Sequence, residues 1–361
     1  MTYSAKRTFP LTFCTAILLL ILFFLLAVNA EKAAAVTAER LRFCLDTLIP
    51  SLFGCMAAAN LLIGSGAAEW LGRKLHRTAK LLHLPPEVLT VFSVSQIAGY
   101  PVGTLLLCRM TAAGRLSPDA VRRYACICYG GGPAFLVGFA GSRMFGSTAI
   151  GWMMLGGCIL SNLLLLLFQP KPQTSASDDT PPNIRLTAES LPDAVSGAMR
   201  SLAAVCGMVI LFGILMLLCE ITGLTAGLIR LGGCIGLQEQ SFRALAASIC
   251  DVTQLPMLLH CGLSFRMLTA LSAAMLSFGG ICVQMQCTAL SGGLLRLRDL
   301  FLFRLAAGCL TFLFVFIFSG FCDDSAAMQV FAHPVAVSHT GSPIPAFLIF
   351  CAGFPFLIKK D

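Results

Sequence analysis

Polar residues interrupt four otherwise apolar stretches of the sequence, and these residues are the ones that could do chemistry. In the first stretch, SVSQIAGYPVG, Gln96 and Tyr100 supply directional hydrogen-bonding groups. Gly99 permits a sharp reversal of the chain, and Pro101 interrupts the helical hydrogen-bond ladder. Inside a bilayer, backbone freed in this way must be covered by protein or line a water-filled cavity. The stretch predicts a polar turn that lines a site, with a kinked helix around a buried amide as the alternative.

The second stretch, YGGGPAFLVG, places three glycines directly before a proline. We expect the helix to unwind between Gly131 and Pro133. The N–H groups of the helix that follows would then point into a cavity, which is a suitable arrangement for binding an anion. The alternative is a glycine-rich face that packs closely against another helix.

The third stretch, CDVTQLP, contains an acid in an apolar environment. An ionisable residue at membrane depth is costly, so it is a functional candidate by default. Asp251 would bind a coupling cation, exchange a proton or hold a substrate hydroxyl, with Thr253 and Gln254 beside it. The alternative is a structural salt bridge or the cap of a hairpin.

The fourth stretch, SFGGICVQMQ, repeats the glycine break at Gly279 and Gly280. Two amides follow, Gln284 and Gln286, and residues two apart lie on different faces of a helix. Only one of them is expected to reach a site. Gln284 shares a face with Gly280, so the spacing favours Gln284.

The composition shows which elements must position these residues. Of 361 residues, 57% are hydrophobic and 12% charged, about half the charged share of a soluble domain. The 17 cysteines are scattered without zinc or redox spacing, so we expect them to pack as small apolar side chains. The net charge of +8 reflects basic cytoplasmic loops, and no basic, aromatic-rich patch indicates nucleic acid. The sequence predicts an all-α polytopic membrane protein.

Eight apolar stretches are long enough to cross a hydrocarbon core of ~30 Å. They are approximately 8–29, 43–65, 122–142, 146–168, 193–220, 267–290, 300–320 and 344–358. The first ends in AVNAEK, which resembles a signal-peptidase site, but its length favours an uncleaved helix.

Two further stretches, 88–108 and 244–265, each contain a proline and a polar cluster. Loops 69–87 and 109–123 each carry four basic residues, which would lie on opposite sides of the membrane if 88–108 crossed it. The positive-inside rule therefore favours a re-entrant hairpin over a span. With this topology both termini are cytoplasmic, and Arg304 lies at the inner boundary of its span. The second hairpin enters from the opposite side.

The two halves also resemble each other. SQIAGYP (95–101) aligns with CDVTQLP (250–256), and each is followed by an aromatic-Gly-Gly break. Inverted repeats with paired interrupted segments point to the midplane site of a secondary transporter. Five regions are predicted: an N-terminal helix and loop (1–40), a first repeat (41–168), a polar linker (169–192), a second repeat (193–320), and a loop with a C-terminal helix (321–361).

Four motifs in this order, IPSLF, GYPVG, GGPAF and SFGGICVQMQ, resemble the YlbJ-type sporulation integral membrane proteins of the nucleoside-recognition, or Gate-domain, group. The resemblance implies an architecture similar to concentrative nucleoside transporters. It also implies a role in moving dipicolinic acid across the outer forespore membrane during endospore formation. The functional positions that it implies are Gln96, Gly99, Tyr100, Pro101, Gly131, Pro133, Gly279, Gly280 and Gln284.

The chain departs from this family in its second hairpin. Relatives tend to have a Glu-Ile-Thr-like motif there, where this chain has Asp251-Val252-Thr253. The shorter acid keeps the charge but withdraws it by one methylene, which bears on the identity of the substrate or coupling ion.

The expected function is a secondary transporter or facilitator of a small anionic metabolite, with dipicolinic acid as the first candidate. A nucleoside or nucleobase carrier is the alternative within transport, and a non-transporting scaffold of the spore envelope is the alternative outside it. No nucleophile elbow, P-loop or HExxH motif suggests an enzyme. We expect no cofactor or metal beyond a coupling proton or sodium. The partners are a small-molecule substrate and the lipid bilayer, and a homo-oligomer is compatible with this interpretation.

Overall fold

A computed structural model describes residues 8–82, 84–168, 184–233 and 238–321. Within these ranges the chain forms helices and turns and contains no strand. This confirms the predicted all-α class. The predicted C-terminal span at 344–358 lies outside the described residues.

Five helical segments are long and apolar enough to cross a membrane, which makes this a multi-pass helical membrane protein. They are Ala30–Gly64, Thr148–Leu167, Ser190–Ile221, Phe265–Leu290 and Leu297–Phe321. Each overlaps one of the predicted spans, but the first begins at Ala30, before the predicted 43–65, because the chain is already helical there. The predicted first span forms a helix from Thr8 to Val28, and the predicted span 122–142 is divided into two shorter helical pieces.

Within each half of the chain, the helices follow one another with short connections. Those of the first half are α1 (Thr8–Val28), α2 (Ala30–Phe43), a π-helical segment (Cys44–Leu48), α3 (Ile49–Gly64), α4 (Ala67–Lys74), α5 (His76–Leu81), α6 (Pro86–Ala98), α7 (Val102–Ala112), α8 (Pro118–Tyr124), a second π-helical segment (Ala134–Met144) and α9 (Thr148–Leu167). Those of the second half are α10 (Ser190–Ile221), α11 (Leu224–Gly233), α12 (Glu239–Cys250), a 3-10 helix (Val252–His260), α13 (Phe265–Phe278), α14 (Gly280–Leu290), α15 (Leu297–Phe318) and a final 3-10 turn (Ser319–Phe321).

Small residues bring the long helices close together. α15 packs against α13 and α9, and α10 packs against α3 and α2. A Cβ atom on Gly151 of α9 would lie 2.7 Å from the carbonyl oxygen of Leu136, so only glycine allows this approach. Large apolar side chains cover the outside, for example Phe23 at 73% exposure, as expected for surfaces that face lipid.

Helices end at all four predicted interruptions. The breaks fall between α6 and α7, between α8 and the second π-helical segment, at Asp251 after α12, and at Gly279 between α13 and α14. Gly99 and Gly279 have φ angles of +80° and +81°, a region that L side chains rarely adopt. These breaks, predicted from glycine, proline and polar residues, are confirmed, but the second begins earlier than predicted because α8 already ends at Tyr124.

The first interruption reverses the chain. A Cβ atom on Gly103 of α7 would lie 2.8 Å from the Cβ of Ser95 in α6. In a continuous helix, residues eight apart are separated by about 12 Å along the axis. The two helices therefore lie side by side, and the kinked-helix alternative is wrong. The peptide bond between Tyr100 and Pro101 at the turn is cis.

Candidate functional site

The tip of the first hairpin packs against the helix break of the same half. The N–H of Tyr100 donates a hydrogen bond to the carbonyl oxygen of Gly130 at 2.5 Å. Gly99 lies so close to this break that a Cβ atom would come within 3.0 Å of the carbonyl oxygen of Gly131. Backbone groups that lack helical partners at the tip and at the break thus hydrogen-bond to each other, as burial in a membrane requires.

The second half repeats this arrangement. A Cβ atom on Gly280 would lie 3.0 Å from the backbone nitrogen of Val252, the residue after Asp251. Gly280 has a φ of +72°. The tip of the second polar segment therefore rests on the second break, and glycine is required at the contact.

The two breaks also meet each other at the centre of the bundle. The hydroxyl of Tyr129 donates a hydrogen bond to the carbonyl oxygen of Phe278 at 3.4 Å, and the Tyr129 side chain fills the space beside Gly279. Tyr129 and Phe278 are the two aromatic residues that the sequence alignment of the halves pairs. Residues 149 positions apart in the chain are thus brought into contact.

A small cavity of about 30 Å³ lies between the two tips, which is room for one or two water molecules. Four of the predicted site residues line it: Tyr100, Gly131, Asp251 and Thr253. The remaining lining residues are Leu48, Leu52, Phe135, Val205, Val209, Val252, Cys282, Val283 and Gln286. The cavity is therefore mostly apolar with a few convergent polar groups, the usual make-up of a small-molecule site.

Asp251 is 1% exposed and is bound on both carboxylate oxygens by one neighbour. Its Oδ1 accepts the backbone N–H of Thr253 at 3.0 Å, and its Oδ2 accepts the Thr253 hydroxyl at 2.7 Å. The guanidinium of Arg40 in turn donates to the hydroxyl oxygen of Thr253 at 3.4 Å. Asp251 thus caps the 3-10 helix that follows it, as the alternative interpretation expected, while also lining the cavity.

A network of buried hydrogen bonds joins polar residues that lie outside the cavity lining. The Nδ2 of Asn162 donates to the carbonyl oxygen of Tyr129 at 2.9 Å and to the Oε1 of Gln96 at 3.3 Å. Gln96 also donates to the Ser95 hydroxyl at 3.2 Å. Gln96, a predicted site residue, is therefore linked to the first break through Asn162 and does not line the cavity.

Arg304 lies at the centre of this network and is fully buried. Its guanidinium donates to the carbonyl oxygen of Cys126 at 3.0 Å and to the Oδ1 of Asn162 at 2.7 Å. It also donates to the hydroxyl of Ser277 at 3.0 Å and to the Ser277 carbonyl oxygen, and it lies 4.6 Å from the Tyr129 ring centroid. Burial of Arg304 among these partners was not predicted from the sequence, which assigned it only to the inner boundary of its span.

The acceptors of Arg304 explain how a cation is tolerated there. Cys126 and Ser277 lie beside the two helix breaks, where helix C-terminal carbonyls carry a partial negative charge and have lost their helical partners. The sequence signal for Arg304 was a charged residue four positions inside an apolar span. The signal for Asn162 was likewise an amide within an apolar span.

Of the two amides in the fourth stretch, the one that lines the cavity is not the one that was predicted. Gln286 lines the cavity, whereas Gln284 is fully buried and donates to the carbonyl oxygen of Phe278 at 3.1 Å. The expectation that Gln284 reaches the cavity is wrong, because α14 begins only at Gly280 and its rotation is set by packing against α10 and α12.

The other predicted site residues lie outside the cavity lining. None of these residues appears among the cavity lining: Gly99, Pro101, Pro133, Gln254, Gly279 and Gly280. Within the part of the chain that the structure describes, no three His, Cys, Asp or Glu side chains converge on one point. Asp251 is the one carboxylate among the lining residues.

No family model, curated protein or solved structure matches this chain.

Proposed function

We propose that this protein is a secondary transporter or facilitator of a small metabolite, which binds between the two polar tips. One observation carries the proposal: two tips and two helix breaks, one of each from either half of the chain, converge on a single cavity. Interrupted segments that meet across a repeat interface are the usual construction of a transporter's midplane site.

The proposed substrate is a small planar anion, with dipicolinic acid as the first candidate on the basis of the family resemblance. Two features support an anion. The second π-helical segment begins just after Gly131, which lines the cavity, and helix N-termini attract negative charge. The Tyr100 hydroxyl is buried without a hydrogen-bond partner among the described residues. Asp251 opposes a dianion, so a proton or sodium ion would have to accompany it.

A nucleoside or nucleobase is the second candidate, and the cavity lining favours it in one respect. Asp251, Thr253 and Gln286 offer a carboxylate, a hydroxyl and an amide, which suit the hydrogen-bonding groups of a ribose or base. This substrate needs no neutralisation of Asp251. A non-transporting scaffold of the spore envelope is the alternative outside transport, and it would not require the polar lining.

The proposed topology has eight spans and two re-entrant hairpins, with both termini in the cytoplasm of the cell. The protein would lie in the cell membrane or the outer forespore membrane. In this arrangement the two hairpins enter from opposite sides and their tips meet near the midplane.

Uptake into proteoliposomes tests the function. Purified protein would be assayed with radiolabelled dipicolinate and uridine, with and without proton or sodium gradients. We expect saturable dipicolinate uptake that is reduced at least about tenfold, or loses its gradient dependence, in Asp251→Asn, because the change removes a buried charge from the cavity. Asp299→Asn, an acid at an exposed position, is the matched control and should transport as the wild type does.

Each other outcome selects an alternative. Uptake of uridine alone identifies a nucleoside carrier. Uptake that is unchanged in Asp251→Asn refutes the cavity as the transport site. Absence of both fluxes, from protein with a normal unfolding transition, refutes transport of these substrates and favours the scaffold.

A further inference from the structure

A second hollow lies on the surface at α4 and α5 and shares no lining residue with the cavity. It is open, has a volume of about 540 Å³, and is lined by Trp70, Arg73, Lys74, His76 and Arg77. All five are exposed. The transport proposal uses none of them.

The position of this hollow places it at the membrane surface. α4 begins three residues after Gly64, the last residue of the apolar segment Ala30–Gly64. Trp70 is 46% exposed and Leu81, at the end of α5, is 76% exposed. Tryptophan and leucine beside basic residues on a short amphipathic helix are typical of segments that lie in the interface of a bilayer.

The chemistry of the hollow matches one ligand group. Two guanidinium groups can bind phosphate oxygens in bidentate fashion, and the Lys74 ammonium lies 5.8 Å from the centroid of the Trp70 ring. The His76 Nδ1 is 3.1 Å from the carbonyl oxygen of Arg73, which fixes the ring at the edge of the hollow. The positive charge of the hollow is complementary to the phosphodiester of a lipid headgroup. The acyl chains of that lipid would lie along the apolar surface.

The positive-inside rule accounts for the number of charges but not for their arrangement. Loop 109–123 carries as many basic residues. That loop contains no tryptophan. At α4 and α5 the basic side chains instead converge on one open hollow beside an exposed aromatic ring.

We propose that the hollow formed by Trp70, Arg73, Lys74, His76 and Arg77 binds the headgroup of an anionic glycerophospholipid. The site would fix α4 and α5 at the bilayer surface next to α6, against which α4 packs. The proposal does not depend on the transported substrate and stands or falls separately from it.

The chain offers a built-in reporter for this site, because it contains only two tryptophans, Trp70 and Trp152. In the variant Trp152→Phe, tryptophan fluorescence comes from Trp70 alone. The protein would be placed in phosphatidylcholine nanodiscs that contain a small fraction of brominated phosphatidylglycerol or brominated phosphatidylcholine. We expect the anionic lipid to quench Trp70 with a relative binding constant at least about fivefold larger, since each basic residue near the surface attracts anionic lipid.

Matched variants separate a site from general charge. In the triple variant Arg73→Gln, Lys74→Gln and Arg77→Gln, the preference for phosphatidylglycerol should disappear. The control triple variant Arg115→Gln, Arg296→Gln and Arg298→Gln removes three exposed charges from the same predicted side and should keep it. A normal unfolding transition of the first triple variant excludes misfolding as the cause. Arg73→Lys with Arg77→Lys retains the charge but not the bidentate guanidinium contacts, so it should keep only part of the preference.

Three results would overturn the proposal. Equal quenching by both lipids shows that there is no anionic preference, and equal loss in the two triple variants shows that net charge alone is responsible. Loss of the preference on addition of inorganic phosphate, at constant ionic strength, identifies a site for free phosphate and not for a lipid.

Discussion

The guanidinium of Arg304 is buried inside the helix bundle, where a charged group has a high desolvation cost. Its acceptors are backbone carbonyls beside two helix breaks and the amide oxygen of Asn162. The residue therefore supplies donors for carbonyls that the breaks have deprived of helical partners. A planar guanidinium offers five N–H groups on three nitrogens for this purpose, whereas a lysine ammonium offers three from a single nitrogen.

Replacement of Arg304 tests this role at the scale of one residue. Arg304→Leu should lower the free energy of unfolding by about 3 kcal/mol or more, since each buried acceptor left unpaired costs about 1–3 kcal/mol. Arg304→Lys should fall between the leucine variant and the wild type. Unfolding in detergent would be followed by circular dichroism, with Arg298→Leu, an exposed position on the same helix, as the control. An unchanged stability of Arg304→Leu would show that the acceptors find other donors.

At the scale of the element, glycine lets α7 approach both its partner helix and the first break. A Cβ atom on Gly103 would overlap the carbonyl oxygen of Cys128 and come within 2.8 Å of the Cβ of Ser95. In contrast, Gly156 in α9 has nothing within 4 Å of the corresponding position. Helix propensity favours alanine over glycine at both positions by about 1 kcal/mol. Any difference in stability between the two alanine variants therefore comes from packing.

We therefore expect opposite effects from two alanine substitutions. Gly103→Ala should lower the melting temperature measured in detergent, because backbone on both sides prevents relaxation and overpacking costs about 1–3 kcal/mol. Gly156→Ala should leave the melting temperature unchanged or raise it. Equal melting temperatures for the two variants would contradict the close packing of the first hairpin on its break.

At the scale of the whole molecule, the cavity has a volume of only about 30 Å³. Ligand pockets usually measure about 300 Å³ or more, so the proposed function requires the lining helices to separate before a substrate can bind. The two tips belong to different halves of the chain. Motion of one half against the other would enlarge the cavity, as in alternating access.

The proposed topology is tested with protease sites inserted into the full chain at exposed positions. Sites after Thr78 and after Gly114 flank the first hairpin, and sites after Gly146 and Gly292 serve as references for the outer and inner sides. In spheroplasts, external protease should cut only the site after Gly146. Cleavage at one of the two flanking sites, but not the other, would show that residues 88–108 cross the membrane.

The sequence by itself determined the membrane class and the positions of the helix breaks. Apolar segment length decides whether a helix can cross a bilayer, and glycine and proline act on the backbone locally. Both properties can be read from neighbouring residues. For this reason the interruptions at Gly99, Asp251 and Gly279 lie where they were predicted.

Only the tertiary structure decided which polar side chains face one another. The contact of Tyr129 with Phe278, the burial of Arg304 and the choice of Gln286 over Gln284 all depend on how helices far apart in the chain rotate and pack. Sequence periodicity gives the spacing of residues around one helix but not the rotation of that helix relative to its partners. That rotation follows from the fit of small and large side chains across several helices at once.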